Sequence, residues 1–202
     1  MSGNGPPSTR KIDPRTRRTR DRLGDALVEL VQEKAFDAIT VQEVLDRAGV
    51  GRSTFYAHYR DKDDLFLSDL DEFLDAMANL LSHRGDASDR VAPVREFFAH
   101  VADARRLHSA LVASGRIHDF LELGQGHFAR AIERRLAELP RSRGLAAGER
   151  TALAQALAGA LLSLLTWWLE RSMPESPARM DDLFHLMVWG GVDSVEGVPS
   201  PR

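Results

Sequence analysis

One short stretch of the sequence combines side chains that can bind phosphate with side chains that can read the edges of DNA bases. Residues 51–62 read GRSTFYAHYRDK and carry hydroxyl, imidazole, guanidinium and ammonium groups. Arg52 is the strongest base-reading candidate, because a guanidinium can donate two hydrogen bonds to the acceptors on a guanine edge. A phosphate contact is the alternative role for this side chain. Chemistry of this kind requires a helix that presents these groups outward.

The preceding residues predict the elements that would position this stretch. Thr40 is a suitable N-cap, and Glu43, three residues later, completes a capping box at the start of a first short helix. Gly49 lies where a tight turn requires a positive φ. A second helix over 52–58 would bury Phe55 and Tyr59 and leave its polar residues outside. This is the anatomy of a helix-turn-helix motif, whose second helix enters the DNA major groove.

The same stretch resembles the recognition helix and following turn of TetR-family transcriptional regulators. In that family a Thr, an apolar residue, a Tyr, any residue, a His and an aromatic are followed shortly by Lys and Leu. The matching positions here are Thr54, Phe55, Tyr56, Ala57, His58, Tyr59, Lys62 and Leu65. The resemblance spans roughly residues 15 to 66, and the rest of the chain is compatible with it in length and helical character.

The resemblance implies a set of side chains that face the phosphates, namely Thr40, Thr54, Tyr56, His58 and Lys62. Lys62 would combine its charge with the N-terminus of its helix, and Tyr56 could also serve as a core aromatic. Base reading is expected at Gly51, Arg52 and Ser53, with Ala57 as a further candidate. We expect Arg15, Arg17 and Arg18 to reach the backbone or a minor groove as an N-terminal arm. A dimer of such motifs predicts a roughly palindromic operator.

The charge distribution supports a polyanionic partner at one end of the chain. The formal net charge is −3, yet residues 1–22 carry +5, which leaves −8 for the rest. A basic end on an acidic body suits a protein that meets DNA at that end only. A solvated basic tail is the alternative. A protein-binding role for the motif is a further alternative, which a steep loss of DNA affinity with rising salt would exclude.

Composition and motifs argue against an enzyme. The sequence has no cysteine, which excludes disulfides, thiolate zinc sites and cysteine nucleophiles. It contains no G-x-S-x-G, phosphate loop, dinucleotide-binding pattern or H-E-x-x-H. His118 and Glu122 are four apart and could share a helical face as metal ligands, but chance placement explains them better. We expect no cofactor and no metal. The N-terminus lacks a secretory signal, so the expected location is the cytoplasm.

Apolar periodicity and breaks predict an all-α protein. The predicted helices cover 13–34, 41–48, 52–58, 62–82, 89–104, 106–113, 117–138, 148–172 and 177–194. Residues 1–12 and 196–202 are expected to be disordered tails. Residues 13–61 are expected to form the DNA-binding domain with its helix-turn-helix. Residues 62–195 are expected to form a helical ligand-binding and dimerisation domain.

The stretch over 152–169 contains no charged residue and predicts a helix buried on every side. A membrane span is one alternative, which its polar residues and the lack of a second span disfavour, and a buried monomer core is another. TetR-family proteins dimerise through their last two long helices, so the resemblance implies a homodimer. The implied interface residues are Ala152, Ala156, Gly159, Ala160, Ser163, Trp167, Phe184, Met187 and Val188.

The resemblance also implies a small-molecule pocket in the helical body. The candidate lining residues are Phe97, Phe98, His100, Leu107, Leu111, Phe120, Phe128, Leu164 and Trp168, although plain core packing is the alternative for each. Because no charged cluster stands out among them, a mostly apolar effector is expected. The resulting hypothesis is a repressor that binds its operator as a dimer and is released by the effector. Activation by the ligand, or regulation without any ligand, are the alternatives.

Overall fold

The computed structural model describes residues 13–83, 88–104, 112 and 115–196. The fold is all-α, as the sequence predicts, and these residues contain no strand. The helices are α1 (Pro14–Glu33), α2 (Val41–Ala48), α3 (Arg52–Tyr56), α4 (Lys62–Ala78), α5 (Leu80–His83), α6 (Val94–Asp103), α7 (Ile117–Glu138), α8 (Ala147–Glu170) and α9 (Pro177–Glu196). Short 3-10 turns occur at Phe36–Ala38 and Pro140–Ser142. The predicted tails at 1–12 and beyond 196 lie outside the described residues, apart from the end of α9.

The chain divides into two compact units, residues 1–66 and residues 67–202. The sequence-based domain boundary at 61/62 is five residues earlier, at the start of α4. In the first unit, Asp13 caps α1 by accepting a hydrogen bond from the Arg15 amide at 2.9 Å, and Pro14 occupies the first helical position. The buried face of α1 packs against α2 and carries Leu23, Ala26, Leu27, Leu30 and Val31.

The second unit is built around two helix pairs. Helix α7 packs along the length of α8, and α6 packs against α9. Aromatic side chains fill the core, and Phe97 lies within 4.8 Å of Phe128 and 6.2 Å of Phe120, measured between ring centroids. Trp168 is almost fully buried, and its indole N–H donates to the Glu175 carbonyl at 2.8 Å. Each such buried side chain contributes roughly 1.5–3 kcal/mol by leaving water.

Two helix boundaries differ from the sequence prediction. The helix predicted from residue 89 begins at Val94, because Pro93 lacks an N–H and disfavours helical geometry at the residue before it. The helix predicted over 62–82 is interrupted at Asn79, whose side-chain amide donates to the Asp75 carbonyl at 2.8 Å. The helix predicted over 106–113 lies outside the described residues, apart from Val112.

A polar network joins α6 to α9. The Arg90 guanidinium donates to Asp181 at 2.9 Å and also to Glu96, and it lowers the pKa of the Glu96 carboxyl to about 2. The Val91 N–H donates to Nε2 of His185 at 3.1 Å, while Nδ1 of His185 lies 2.9 Å from the Asp181 carbonyl. These two contacts require a neutral imidazole with its proton on Nδ1. Burial lowers the pKa of His185, although the Asp181 carbonyl and carboxylate oppose this.

The His185 site makes folding stability depend on pH. A histidine whose pKa is lowered on folding binds protons more readily in the unfolded chain, so stability is complete above the unfolded value near 6.5 and falls below it. The thermal midpoint should therefore drop between pH 7 and 5. The Glu96 carboxylate acts in the same direction only below its unfolded value near 4.5.

The drop in the thermal midpoint is compared between two variants. His185→Gln removes this titrating ring, and His118→Gln changes an exposed histidine. The drop should become shallower in His185→Gln and stay unchanged in His118→Gln. Equal slopes in the two variants would contradict the assignment.

Candidate nucleic-acid interface

The predicted recognition helix is α3, with Gly51 before it and Ala57 in helical conformation after it. Phe55 is 0% exposed and Tyr59 is 4% exposed, because residues four apart share one helical face. Tyr56 is 51% exposed. The remaining predicted contact residues of this segment are also exposed, namely Gly51, Arg52, Ser53, Thr54 and His58. Helix α3 therefore has one buried face and one solvent-exposed face.

The buried face of α3 is attached to α1 through Tyr59. The Phe55 ring lies 5.7 Å from the Tyr59 ring, and the Tyr59 hydroxyl accepts a hydrogen bond from Nε of Arg20 at 2.9 Å. Arg20 also lies over the same ring, with Cζ 5.9 Å from its centroid. A buried tyrosine hydroxyl requires such a partner. This contact fixes the end of the recognition segment against the longest helix of its unit.

The turn between α2 and α3 depends on Gly49, which adopts φ 60° and ψ 41°. The Val50 N–H donates to the Leu45 carbonyl at 3.1 Å, as expected where an α-helix ends at a residue in the left-handed conformation. The Arg22 guanidinium donates to the Ala48 carbonyl and, at 3.1 Å, to the Gly49 carbonyl. A cation at the C-terminus of α2 also meets the negative end of its dipole. Sequence reasoning assigned no role to Arg22.

Eight of the predicted DNA-contact side chains keep their polar groups available. No side-chain hydrogen bond or ion pair to another described residue involves Arg15, Arg17, Arg18, Arg52, Ser53, Thr54, Tyr56 or His58. A group without an internal partner can donate to an external oxygen without first breaking a bond. Arg15, Arg17 and Arg18 lie in the first two turns of α1 and are exposed, so they are helical side chains rather than an extended arm.

Thr40 and Lys62 differ from those eight, because their donors are used within the unit. The Thr40 hydroxyl donates to Oε2 of Glu43 at 2.9 Å. It also accepts from the Glu43 N–H at 3.3 Å, and the Thr40 N–H donates to Oε2 of Glu43 at 2.9 Å, which completes the predicted capping box. Lys34 donates to the other Glu43 oxygen at 2.5 Å, and this hydrogen bond is the main reason why the pKa of Glu43 falls to about 2. The Lys62 ammonium donates to three backbone carbonyls.

Comparison with known proteins identifies the class to which this motif belongs. Residues 23–68 match the family model described as bacterial regulatory proteins, tetR family. The resemblance to the TetR family is therefore confirmed over this segment. A curated relative, the uncharacterized HTH-type transcriptional regulator YxbF of Bacillus subtilis, is 35% identical over 57 residues. That match spans 28% of this chain and 15% of YxbF.

Solved structures of bacterial regulators have a similar fold over most of this chain. The fatty acid degradation regulator FadR of Bacillus halodurans superposes with a TM-score of 0.64 at 19% identity, covering 90% of this chain and 98% of its own. A TetR transcriptional regulator of Streptococcus agalactiae gives 0.59 at 24% identity, covering 86% and 95%. The family and its structural relatives are regulators and not enzymes. Among the described residues, no group of three His, Asp or Glu side chains is arranged to hold a metal.

Five of the nine residues that the TetR resemblance assigned to a ligand pocket form a ring cluster in the second unit. Phe97, Phe98, Phe120, Phe128 and Trp168 are buried and contact one another in pairs, with Phe98 and Trp168 centroids 4.9 Å apart. His100 is exposed and lies against Phe73 at 4.8 Å. Leu164 is half-buried. Leu107 and Leu111 lie outside the described residues.

The predicted TetR-type dimer residues separate into two groups. Ala152, Ala156, Ser163, Trp167 and Met187 are exposed, and Gly159 and Ala160 are half-exposed. Phe184 and Val188 are 0% exposed in the single chain, so they pack within the protomer and present no surface to a partner. Leu186, which the sequence prediction did not include, is 74% exposed.

An open groove of about 450 Å³ runs beside this exposed face of α8. It is lined by Leu121, Gln125, Gly159, Leu162, Ser163, Thr166, Trp167 and Glu170. Helix α8 is long and apolar enough to cross a membrane, with a mean hydropathy of 1.6, and 39% of that window is buried. Its buried residues include Leu157, Leu161 and Leu165.

Two glycines in the motif should respond differently to an added methyl group. A Cβ at Gly49 would lie 2.7 Å from the Arg22 guanidinium, and the backbone of this residue has a positive φ that disfavours alanine. Gly49→Ala should therefore destabilise the first unit by about 1 kcal/mol or more. At Gly51 the nearest atom is 4.0 Å away. Gly51→Ala should therefore keep the stability and serve as the matched control. Denaturant unfolding monitored by circular dichroism measures both, and equal losses would contradict this account of the turn.

Proposed function

We propose that this TetR-family transcriptional regulator is a cytoplasmic repressor that binds a palindromic DNA operator as a homodimer and is released by a small apolar effector. The observation that carries the DNA-binding part is the group of exposed donors on and around α3, which have no internal partners among the described residues. The basic residues at the start of α1 supply the positive charge that phosphate binding requires.

The proposed contacts divide between positioning and reading. Thr54, Tyr56 and His58 are assigned to phosphates, together with Arg15, Arg17 and Arg18. Gly51, Arg52 and Ser53 are assigned to base edges, with Arg52 on guanine. His58 can donate to phosphate as a neutral ring, so its contact does not require protonation.

The homodimer proposal is supported by the outer face of α8 and α9. Small residues along α8 would allow a partner helix to approach closely, and Trp167 would supply a large contact area at one end. Helix α9 adds two exposed apolar side chains, Leu186 and Met187, which are 74% and 44% exposed. Clusters of exposed apolar side chains are typical of interaction sites.

The effector proposal is supported by the ring cluster around Phe97 and Trp168, whose side chains are apolar and buried. An effector that binds one dimer conformation more tightly would shift the population toward it and release the operator. Addition of apolar compounds to the preformed DNA complex distinguishes induction, activation and regulation without a ligand. Release supports repression with induction, tighter binding indicates activation, and no effect across the collection favours regulation without a ligand.

DNA binding is tested by selecting duplexes from a random-sequence library with the purified protein. The selected sequences should be palindromic, and affinity should fall steeply with salt. Arg52→Ala should reduce the preference for one base pair per half-site by about 1–3 kcal/mol. Arg17→Ala should keep that preference and lower the slope of log K against log salt by about 0.9 per lost phosphate contact. Failure to enrich any sequence, with no salt-dependent binding, would refute the proposal.

The dimer is tested by placing a charge on the exposed face of α8. Ala156→Glu would bury an unpaired carboxylate in the proposed interface, which costs several kcal/mol, so the mass measured by analytical ultracentrifugation should change from dimer to monomer. Ala76→Glu is the matched control, because Ala76 is also an exposed alanine and lies on α4. A dimeric Ala156→Glu protein with unchanged affinity between protomers would place the interface elsewhere.

A further inference from the structure

Lys62, the first residue of α4, has every donor of its ammonium group engaged. Its Nζ lies 2.7 Å from the Phe36 carbonyl oxygen, 2.9 Å from that of Ile39 and 3.2 Å from that of Asp37. An ammonium carries three N–H donors and no acceptor. Three converging carbonyls therefore use its full hydrogen-bonding capacity, and a phosphate oxygen could bind only by displacing one of them.

The partners of Lys62 belong to the segment that leads into α2. Phe36 and Asp37 lie in the 3-10 turn Phe36–Ala38, and Ile39 directly precedes Thr40, the N-cap of α2. The Phe36 carbonyl also accepts from the Ile39 N–H at 3.0 Å, and carbonyls at the C-terminal end of such a turn attract a cation. The Phe36 ring, which is almost fully buried, lies with its centroid 4.7 Å from Nζ and adds a cation–π contact.

We propose that Lys62 is a positioning residue for DNA binding, which holds the Phe36–Ile39 segment and does not itself contact a phosphate. This inference rests on the proposed function. It differs from the role that the family resemblance implies, because the residue type alone cannot distinguish a phosphate oxygen from a carbonyl oxygen as the acceptor.

Lys62 acts on DNA binding by holding the start of α2. Ile39 and Thr40 set where α2 begins, and α2 continues through the Gly49 turn to α3, with which it is in contact. Loss of the ammonium would leave three carbonyls at the start of this path without their shared donor. The recognition helix would then lose its fixed placement, although no charge facing the DNA would have been removed.

The test compares Lys62→Met and Lys62→Arg with Arg17→Ala, using the duplex selected above and fluorescence anisotropy over a range of salt concentrations. Lys62→Met should bind about tenfold more weakly, as expected for the loss of contacts to one charged group, at an unchanged salt slope. Arg17→Ala should lower the slope by about 0.9. Lys62→Arg should also bind more weakly, because a planar guanidinium cannot donate to three converging carbonyls. A lowered slope in Lys62→Met, or wild-type affinity in Lys62→Arg, would overturn the proposal.

Amide hydrogen exchange provides a readout that does not depend on DNA. The Ile39 N–H donates to the Phe36 carbonyl at 3.0 Å, and the Val44 N–H donates to the Thr40 carbonyl at 3.3 Å. These two amides should exchange faster in Lys62→Met and Lys62→Arg, while that of Leu27 in the α1 core stays unchanged. Uniformly faster exchange would show a general loss of stability and would also overturn the proposal. If the wild-type protein selects no duplex, the proposed function fails, and the exchange rates still decide whether Lys62 holds this segment.

Discussion

Helix α2 spans only eight residues, and the placement of the recognition helix depends on how its two ends are held. So short a helix is not stable alone, and the backbone groups at its ends need partners from outside the helix. At the N-terminal end, Glu43 closes the capping box, and Lys62 holds the preceding carbonyls. At the C-terminal end, Arg22 binds the carbonyls of Ala48 and Gly49. Arg22 of α1 and Lys62 of α4 therefore hold α2, the helix that leads into α3.

This constraint explains why the polar residues of the motif separate into two groups. Thr40 and Lys62 make the bonds that hold α2, and their donors are no longer available. Arg52, Tyr56 and His58 have no such bonds to other described residues, so they can meet an external anion. Both groups belong to the same family pattern. A motif specifies which residue types recur at which positions, but it does not state whether an ammonium binds a carbonyl of its own chain or a phosphate of another molecule.

Much of the fold could be predicted from the sequence, because local signals determine it. The capping box at Thr40, the positive φ of Gly49 and the burial of Phe55 follow from residue type and helical spacing, and all three are present. Other features depend on partners distant in the sequence. The bonds of Lys62 to residues 23 to 26 positions earlier have no periodic signature, and the same is true of the network around His185. Apolar spacing cannot separate core from interface either, so Val188 could not be told apart from its exposed neighbours.

The two neighbouring tryptophans of α8 show how one apolar helix can serve two surfaces. Trp168 is 1% exposed and packs against Phe98, whereas Trp167 is 38% exposed and lies beside the open groove. Successive helical residues point about 100° apart, so adjacent apolar side chains cannot all face a single partner. The packing against α7 accounts for only one side of α8. The exposed side, which carries the small residues Ala152, Ala156 and Ser163, gains its hydrophobic stabilisation only if a second apolar surface covers it.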